Sequence, residues 1–223
     1  MATSASRPSP ADAAVTLADR YARVRAASVA LAAPLAPEDT VVQSMPDVSP
    51  TKWHLAHTTW FFEQFLLGAD DGYRPWREDW LYLFNSYYQS VGPMHARVER
   101  GLLSRPTLAQ VLEYRRVVDE RVLERLARGV DPALGAVLVL GLNHEQQHQE
   151  LLLTDIKHVL SCNPLQPAYR EDLVATSRGA VAQGFVEGRP GIVEVGHDPA
   201  RGFGFDCETP RHRQLLHPHA LAC

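Results

Sequence analysis

The sequence predicts a mainly α protein, a four-helix bundle with one long crossover, followed by short β pieces. Three observations point there. Four stretches repeat apolar residues at helical spacing between recognisable start and stop signals. One connection between them, from Gly68 to Pro106, is far longer than the rest, as in bundles with a crossover. After Tyr169 the pattern changes to short alternating runs set between glycines and prolines.

The first helix is expected over about residues 11–32, where Leu17, Tyr21, Val24 and Ala27 or Val29 form a stripe. In the second, Ser49 is a good N-cap and Pro50 suits the first helical position. This helix runs to about Leu67, and Gly68 stops it. The long connection that follows is rich in Trp, Tyr, Pro and Gly, and loops of such length are usually functional. Its residues 83–101 mix aromatics, amides and arginines, the chemistry of a wall that holds a small zwitterion. Arg97 and Arg100 are three apart, so on a helical turn both guanidiniums can face one carboxylate; pairing with Glu99 or another surface carboxylate is the alternative.

The third helix starts near Pro106-Thr107 and runs to Arg128, with Leu108, Val111, Leu112, Arg115, Val118, Val122 and Leu126 marking its stripe and Gly129 ending it. Asp131 caps the fourth helix, Pro132 opens it, and Asn163-Pro164 closes it. These helices define a region over residues 1–169. Residues 170–190 read as a linker. In residues 191–223, the run 191–197 alternates as a strand, and 202–206 and 213–216 follow as β-like pieces. Those 33 or so residues are too few to bury a core, so they are expected to begin a domain whose remainder is absent.

The chemistry concentrates in the fourth helix. His144 and His148 are four residues apart, which puts both imidazoles on one helical face, one turn apart, where they can share a metal ion. That face continues through Val137, Leu140, Gly141, Leu151 and Leu152, so the histidines interrupt an inward-facing stripe. A buried imidazole needs a partner. The alternative is a solvated polar patch of Gln, His and Glu. Glu145 also completes the zinc-protease pattern H-E-x-x-H, which makes a metalloprotease a rival. One helix supplies at most two ligands here, and the second helix offers a third. On it Trp53, Ala56, His57, Trp60 and Gln64 form one stripe, while His54 shares its side with Thr58, Phe61 and Phe65. Both histidines have aromatic neighbours, so spacing does not choose between them; either can instead be a core histidine bonded to a backbone carbonyl.

Composition fits an intracellular enzyme with one sizeable core. The chain has 223 residues, 45% of them hydrophobic and 22% charged, and a net charge of -4. That mild negative charge makes no electrostatic case for nucleic acid or an anionic membrane. No stretch is apolar enough to span a bilayer, and the N-terminus lacks a basic region followed by an apolar core. Cys162, Cys207 and Cys223 are an odd count without C-x-x-C spacing, which argues against a disulfide framework or a structural zinc site. Cytoplasm is the expected location.

Three segments together carry a family resemblance. Trp53-His54-Leu55-Ala56-His57, Asn85-Ser86-Tyr87-Tyr88 and the run from His144 to Leu152 resemble the N-terminal half of the ergothioneine-biosynthesis sulfoxide synthases. The tail from Gly191 to Cys223, with Phe205-Asp206-Cys207-Glu208-Thr209-Pro210-Arg211-His212, resembles the start of the formylglycine-generating-enzyme-like domain that follows in them.

The resemblance implies a DinB-like bundle that holds non-haem iron(II) through three histidines. In the family motif the first ligand follows Leu-Ala, which selects His57, and the other two fall on His144 and His148. Gln147 matches a position that contacts the imidazole of the trimethylated histidine substrate, hercynine, and Arg97 and Arg100 resemble the pair that binds the carboxylates of the sulfur donor. The family's catalytic tyrosine and the cation-binding residues of its second domain would lie beyond Cys223, so the 223 residues alone are expected to fold the bundle without catalysing the reaction. The implied activity is dioxygen-dependent C–S bond formation between hercynine and cysteine or γ-glutamylcysteine. Three imidazoles leave up to three positions free on an octahedral iron, where a tetrahedral zinc would keep one. A metal-dependent thiol transferase of the same superfamily, a selenoneine-forming relative and a non-enzymatic metal-binding bundle are the other readings.

Overall fold

The computed structural model describes residues 15–86, 88, 91–172, 179 and 182–223. The chain divides into two compact units, Met1–Arg170 and Glu171–Cys223. Among the described residues the first unit holds five α-helices: α1 (Leu17–Ala32), α2 (Thr51–Phe62), α3 (Glu78–Phe84), α4 (Leu108–Ala127) and α5 (Pro132–Cys162). The long α1, α2, α4 and α5 form the four-helix bundle. No helix among the described residues is long and apolar enough to cross a membrane.

The helix boundaries follow their caps. Thr16 opens α1 and Thr107 opens α4, each through a reciprocal capping box, with Asp19 and Gln110 respectively. Asp131 accepts from the Leu134 amide, and Pro132 occupies the first turn of α5 as expected. The expected start of α2 is corrected by one residue. Pro50 is its N-cap and no side chain caps it, because Ser49 is engaged elsewhere: its amide donates to Asp155 and its hydroxyl accepts from Arg100. After Phe62 the same helix continues through one π turn, Glu63–Leu67, and ends at Gly68. π turns of this kind recur at functional sites.

The connection from Gly68 to Pro106 is more ordered than its composition predicts. It contains α3 and a 3-10 stretch, Arg97–Leu102. Glu63, 1% exposed, anchors it by accepting from the Tyr73 and Tyr114 hydroxyls and the Trp76 amide. Residues 11–14 of the expected first helix, Tyr87, Gln89 and Ser90 of the connection, and residues 173–178, 180 and 181 of the expected linker lie outside the described residues.

All twelve residues of α2 are buried, so it is the central element of the bundle. Its polar groups must therefore find partners inside the protein. Thr58 and Thr59 donate back to carbonyls one turn earlier, the Trp53 indole donates to the Leu83 carbonyl, and Lys52 donates to Leu103 at 2.7 Å. Burial, with Arg105 nearby, pushes the Lys52 ammonium down to about 8. Contact between α2 and α5 is set by Gly141, where a Cβ would stand 2.5 Å from Phe62 Cε1 and 2.9 Å from Phe61 Cε1.

A buried charge cluster ties the four long helices together. Glu145, on α5, is fully buried and accepts from Arg25 of α1 (2.9 Å), Arg115 of α4 (2.7 Å) and Ser28 of α1 (2.6 Å). Arg25 also reaches Thr59 of α2 and Asp119 of α4, and Arg115 reaches Thr58 and the Leu55 carbonyl of α2. Burial alone would raise the Glu145 carboxyl, but the two guanidiniums outweigh it and hold it down to about 2. The buried face of α1 is therefore Tyr21, Arg25, Ser28 and Ala32, a correction to the apolar stripe expected there. On α5 the buried stripe is centred on Leu138, Leu142, Glu145 and Leu152, which leaves His144 and His148 at its edge rather than in its middle.

In the second unit β1 (Phe185–Glu187) pairs antiparallel with β4 (Ala220–Ala222), and β2 (Gly191–Val195) with β3 (His212–Leu216). Strand β1 falls within the stretch expected to be linker. None of the described residues of this unit is buried.

Removing one partner of a buried ion pair strands the other charge, at a cost of about 3–5 kcal/mol. Glu145→Ala should lose that much stability in urea unfolding at neutral pH, whereas Glu150→Ala, on the exposed side of the same helix, should stay within about 0.5 kcal/mol. Gly141→Ala should cost about 1–3 kcal/mol, because rigid aromatic rings already occupy the space its methyl would fill.

Candidate metal centre

Three histidines from two helices converge. The ring nitrogens of His57 on α2 and of His144 and His148 on α5 include one from each residue that all lie within 4.8 Å of one another. His57 Nε2 and His144 Nε2 are 3.3 Å apart. Two imidazole nitrogens held about 2.0–2.1 Å from one ion approach each other to about this distance. His54, which the sequence left level with His57, is outside this group: it stands behind His148, 2.8 Å away through their Nδ1 atoms.

Helix geometry and stacking fix His57. Trp53, one turn before it, stacks on its ring at 4.6 Å and 11°, and Trp60, one turn after, stacks on the opposite side in sequence at 5.6 Å and 15°. The carbonyl of Phe84, last residue of α3, has no onward helical partner and accepts from His57 Nδ1 at 2.6 Å. With the proton on Nδ1, the Nε2 lone pair faces the other two histidines, the arrangement by which backbone carbonyls orient metal-binding imidazoles. His144 is held differently: among the described residues its buried Nδ1 has no hydrogen-bond partner.

All three rings are neutral near pH 7. Burial lowers each: His144 to about 4, His57 well below its ordinary value with His144 adding to the effect, and His148 well below its ordinary value with His57 and His54 adding. Metal binding requires deprotonated imidazole, so no proton has to leave before an ion enters. The donor set therefore fits a first-row divalent metal, iron(II) and zinc included.

The rings border a cavity of about 200 Å³ whose other walls include Trp53, Tyr88, Arg97, Arg100 and Asp155. Arg100 is buried, its guanidinium stacked 3.4 Å over the Trp53 ring and donating to the hydroxyls of Ser49 and Ser86. Arg97 is exposed at the same cavity and donates to the Asp47 carbonyl. The two arginines predicted to share a carboxylate thus line one chamber with the three histidines. Gln147 is exposed on α5 and is not part of that lining. A larger groove of about 610 Å³ beside Leu153, Ile156, Leu160 and Tyr169 shares no residue with it.

The protease pattern fails on structure. In H-E-x-x-H the glutamate acts at the metal as general base, but both oxygens of Glu145 are engaged by Arg25, Arg115 and Ser28 away from solvent. Asp155 is a site residue that the sequence reading did not single out, whereas His54, a candidate ligand there, stands behind His148 instead. Asp155 follows His148 by seven residues, two helical turns, and that interval was the available signal.

Residues 20–152 match the model of one protein family, described as the DinB superfamily. The match runs from within α1 to within α5, spans α2, α3 and α4, and takes in His57, His144 and His148. No curated protein matches the chain significantly.

The lowered histidine values give stability a definite pH dependence. An imidazole that titrates at 6.5 when unfolded and at about 4 when folded lets the unfolded chain take up protons first. The metal-free protein should therefore hold its full stability above about pH 6.5 and lose it as pH falls through 4; Glu145 adds a loss of the same sign between 4.5 and about 2. Urea midpoints of metal-free protein at pH 7.5 and 5 should show the first loss, and replacing His57, His144 and His148 by glutamine should shrink it.

Proposed function

As the chain belongs to the DinB superfamily, we propose that it is a metal-dependent enzyme of one specific kind: a non-haem iron(II) sulfoxide synthase that joins hercynine to cysteine or γ-glutamylcysteine. The observation that carries this reading is the convergence of three uncharged imidazoles on a chamber that two arginines also line. The Trp53-to-His57, Asn85-to-Tyr88 and His144-to-Leu152 segments, which resemble those synthases, support it. In the same reading the second unit belongs to a formylglycine-generating-enzyme-like domain.

The reaction balances with dioxygen as the oxidant. The imidazole C–H and the thiol S–H are lost, a C–S and an S–O bond form, and the second oxygen atom leaves as water. Iron(II) held by His57, His144 and His148 supplies the redox chemistry and open coordination positions. The remaining roles fall to the chain. Arg97 and Arg100 meet the carboxylates of the thiol donor by charge. The stacked Trp53 and the aromatic Tyr88 wall exclude water from the chamber, and the neutral ligand set keeps its charge free for a thiolate. Gln147, exposed one residue before His148, would meet only the part of a substrate that projects from the cavity.

A zinc-dependent thiol transferase is the second reading, because the His57–His144 nitrogen spacing suits tetrahedral geometry as well. Protein purified without oxygen and loaded with iron(II) or zinc separates the two. In a chain that carries a whole formylglycine-generating-enzyme-like domain, mass spectrometry should find the sulfoxide only with iron, hercynine, thiol and oxygen together. Equal turnover with zinc, or in the absence of oxygen, sinks the synthase. Independently of turnover, hercynine and thiol should perturb the optical spectrum of the iron(II)–nitrosyl protein, and a silent spectrum with iron bound counts equally against it.

A further inference from the structure

Behind His148 runs a chain of three groups that the ligand set does not use. His148 Nδ1 lies 2.8 Å from His54 Nδ1, His54 Nε2 lies 2.9 Å from Asp155 Oδ2, and the Ser49 amide donates to the same Asp155 oxygen at 2.8 Å. His54 is 3% exposed, so little solvent competes for its two ring nitrogens. A carboxylate can only accept, which puts the His54 proton on Nε2. Neutral His54 then has a bare Nδ1 and must accept from His148, which puts the His148 proton on Nδ1. That leaves the Nε2 lone pair of His148 as the one nitrogen it can present to a ligand.

We propose that Asp155 and His54 are positioning residues that set the tautomer of His148 and so prepare it to bind metal. The same outcome is reached for His57 by a backbone carbonyl, that of Phe84. The difference matters: a carbonyl is fixed in its role, whereas Asp155 and His54 act through side chains that substitution can reverse. Carboxylate–histidine pairs behind a ligand typically change metal affinity about 10- to 100-fold when broken. The effect on metal rests on the three-histidine reading; the tautomer assignment stands on the hydrogen bonds alone.

Asp155→Leu is the informative variant, since it removes the oxygen that holds the His54 proton on Nε2, whereas an asparagine could keep its Oδ1 on both the Ser49 amide and His54 Nε2 and leave the proton order as it is. Long-range ¹H–¹⁵N spectra of metal-free, histidine-labelled protein at pH 8 should show His148 protonated on Nδ1 and His54 on Nε2. In Asp155→Leu both should lose their single tautomer, and affinity for cobalt(II) or zinc(II), measured by chelator competition, should fall about 10- to 100-fold. His54→Asn, whose Oδ1 can still accept from His148, should recover most of that affinity, whereas His54→Leu should not. Wild-type protein with His148 protonated on Nε2 overturns the proposal, as does Asp155→Leu with unchanged tautomers and unchanged affinity. Wild-type protein that binds no metal refutes the three-histidine centre instead, and the spectra still decide the relay.

Discussion

The bundle depends on the burial of one carboxylate between two guanidiniums. Glu145 is fully enclosed, and desolvating a charge of either sign costs several kcal/mol unless partners surround it. Arg25 and Arg115 surround it from α1 and α4, Asp119 balances the second positive charge, and the hydroxyls of Thr58 and Thr59 bring in α2. No helix can slide or rotate without stranding a member of the set. This polar centre fixes register in a way that an apolar interface of leucines and valines does not.

That constraint places the metal centre. Glu145 follows His144 directly, so anchoring the glutamate toward α1 and α4 turns His144 and His148 toward the α2 side, about 100° around the helix. Gly141 lets Phe61 and Phe62 come close enough for His57 to meet them. The π turn after Phe62 then directs Glu63 to Tyr73, Trp76 and Tyr114, which secures the connection whose later residues, Arg97 and Arg100, wall the chamber. Site and scaffold share residues one position apart in sequence, with the acid serving the fold and the histidines the ligand.

Much of this was legible in the sequence, for identifiable reasons. Helices α4 and α5 carry strong caps at Thr107 and Asp131 and end in glycine or Asn-Pro, so their limits could be read to within a residue or two. The i, i+4 spacing of His144 and His148 pointed to two members of the three-histidine cluster because it is a local property of one helix. What failed to show was tertiary. The inward face of α1 is polar, and Arg25 reads as solvent-facing until its partners on three other helices are known. Helix α3 is seven residues long and has no capping side chain, so nothing local announces it. Spacing left His57 and His54 level and the resemblance chose His57; the contact that orients its ring, with the Phe84 carbonyl 27 residues away, is tertiary.

The stacking of Trp53 and Trp60 on His57 has an optical consequence. Two of the four tryptophans in the chain stack on an imidazole of the centre, and the other two, Trp76 and Trp80, flank Tyr114 instead. An open-shell ion on that imidazole would quench indole emission at van der Waals range, while a filled-shell d¹⁰ ion such as zinc would leave it bright. Indole emission would thus separate an open-shell ion from a filled-shell one at these histidines, without any added dye.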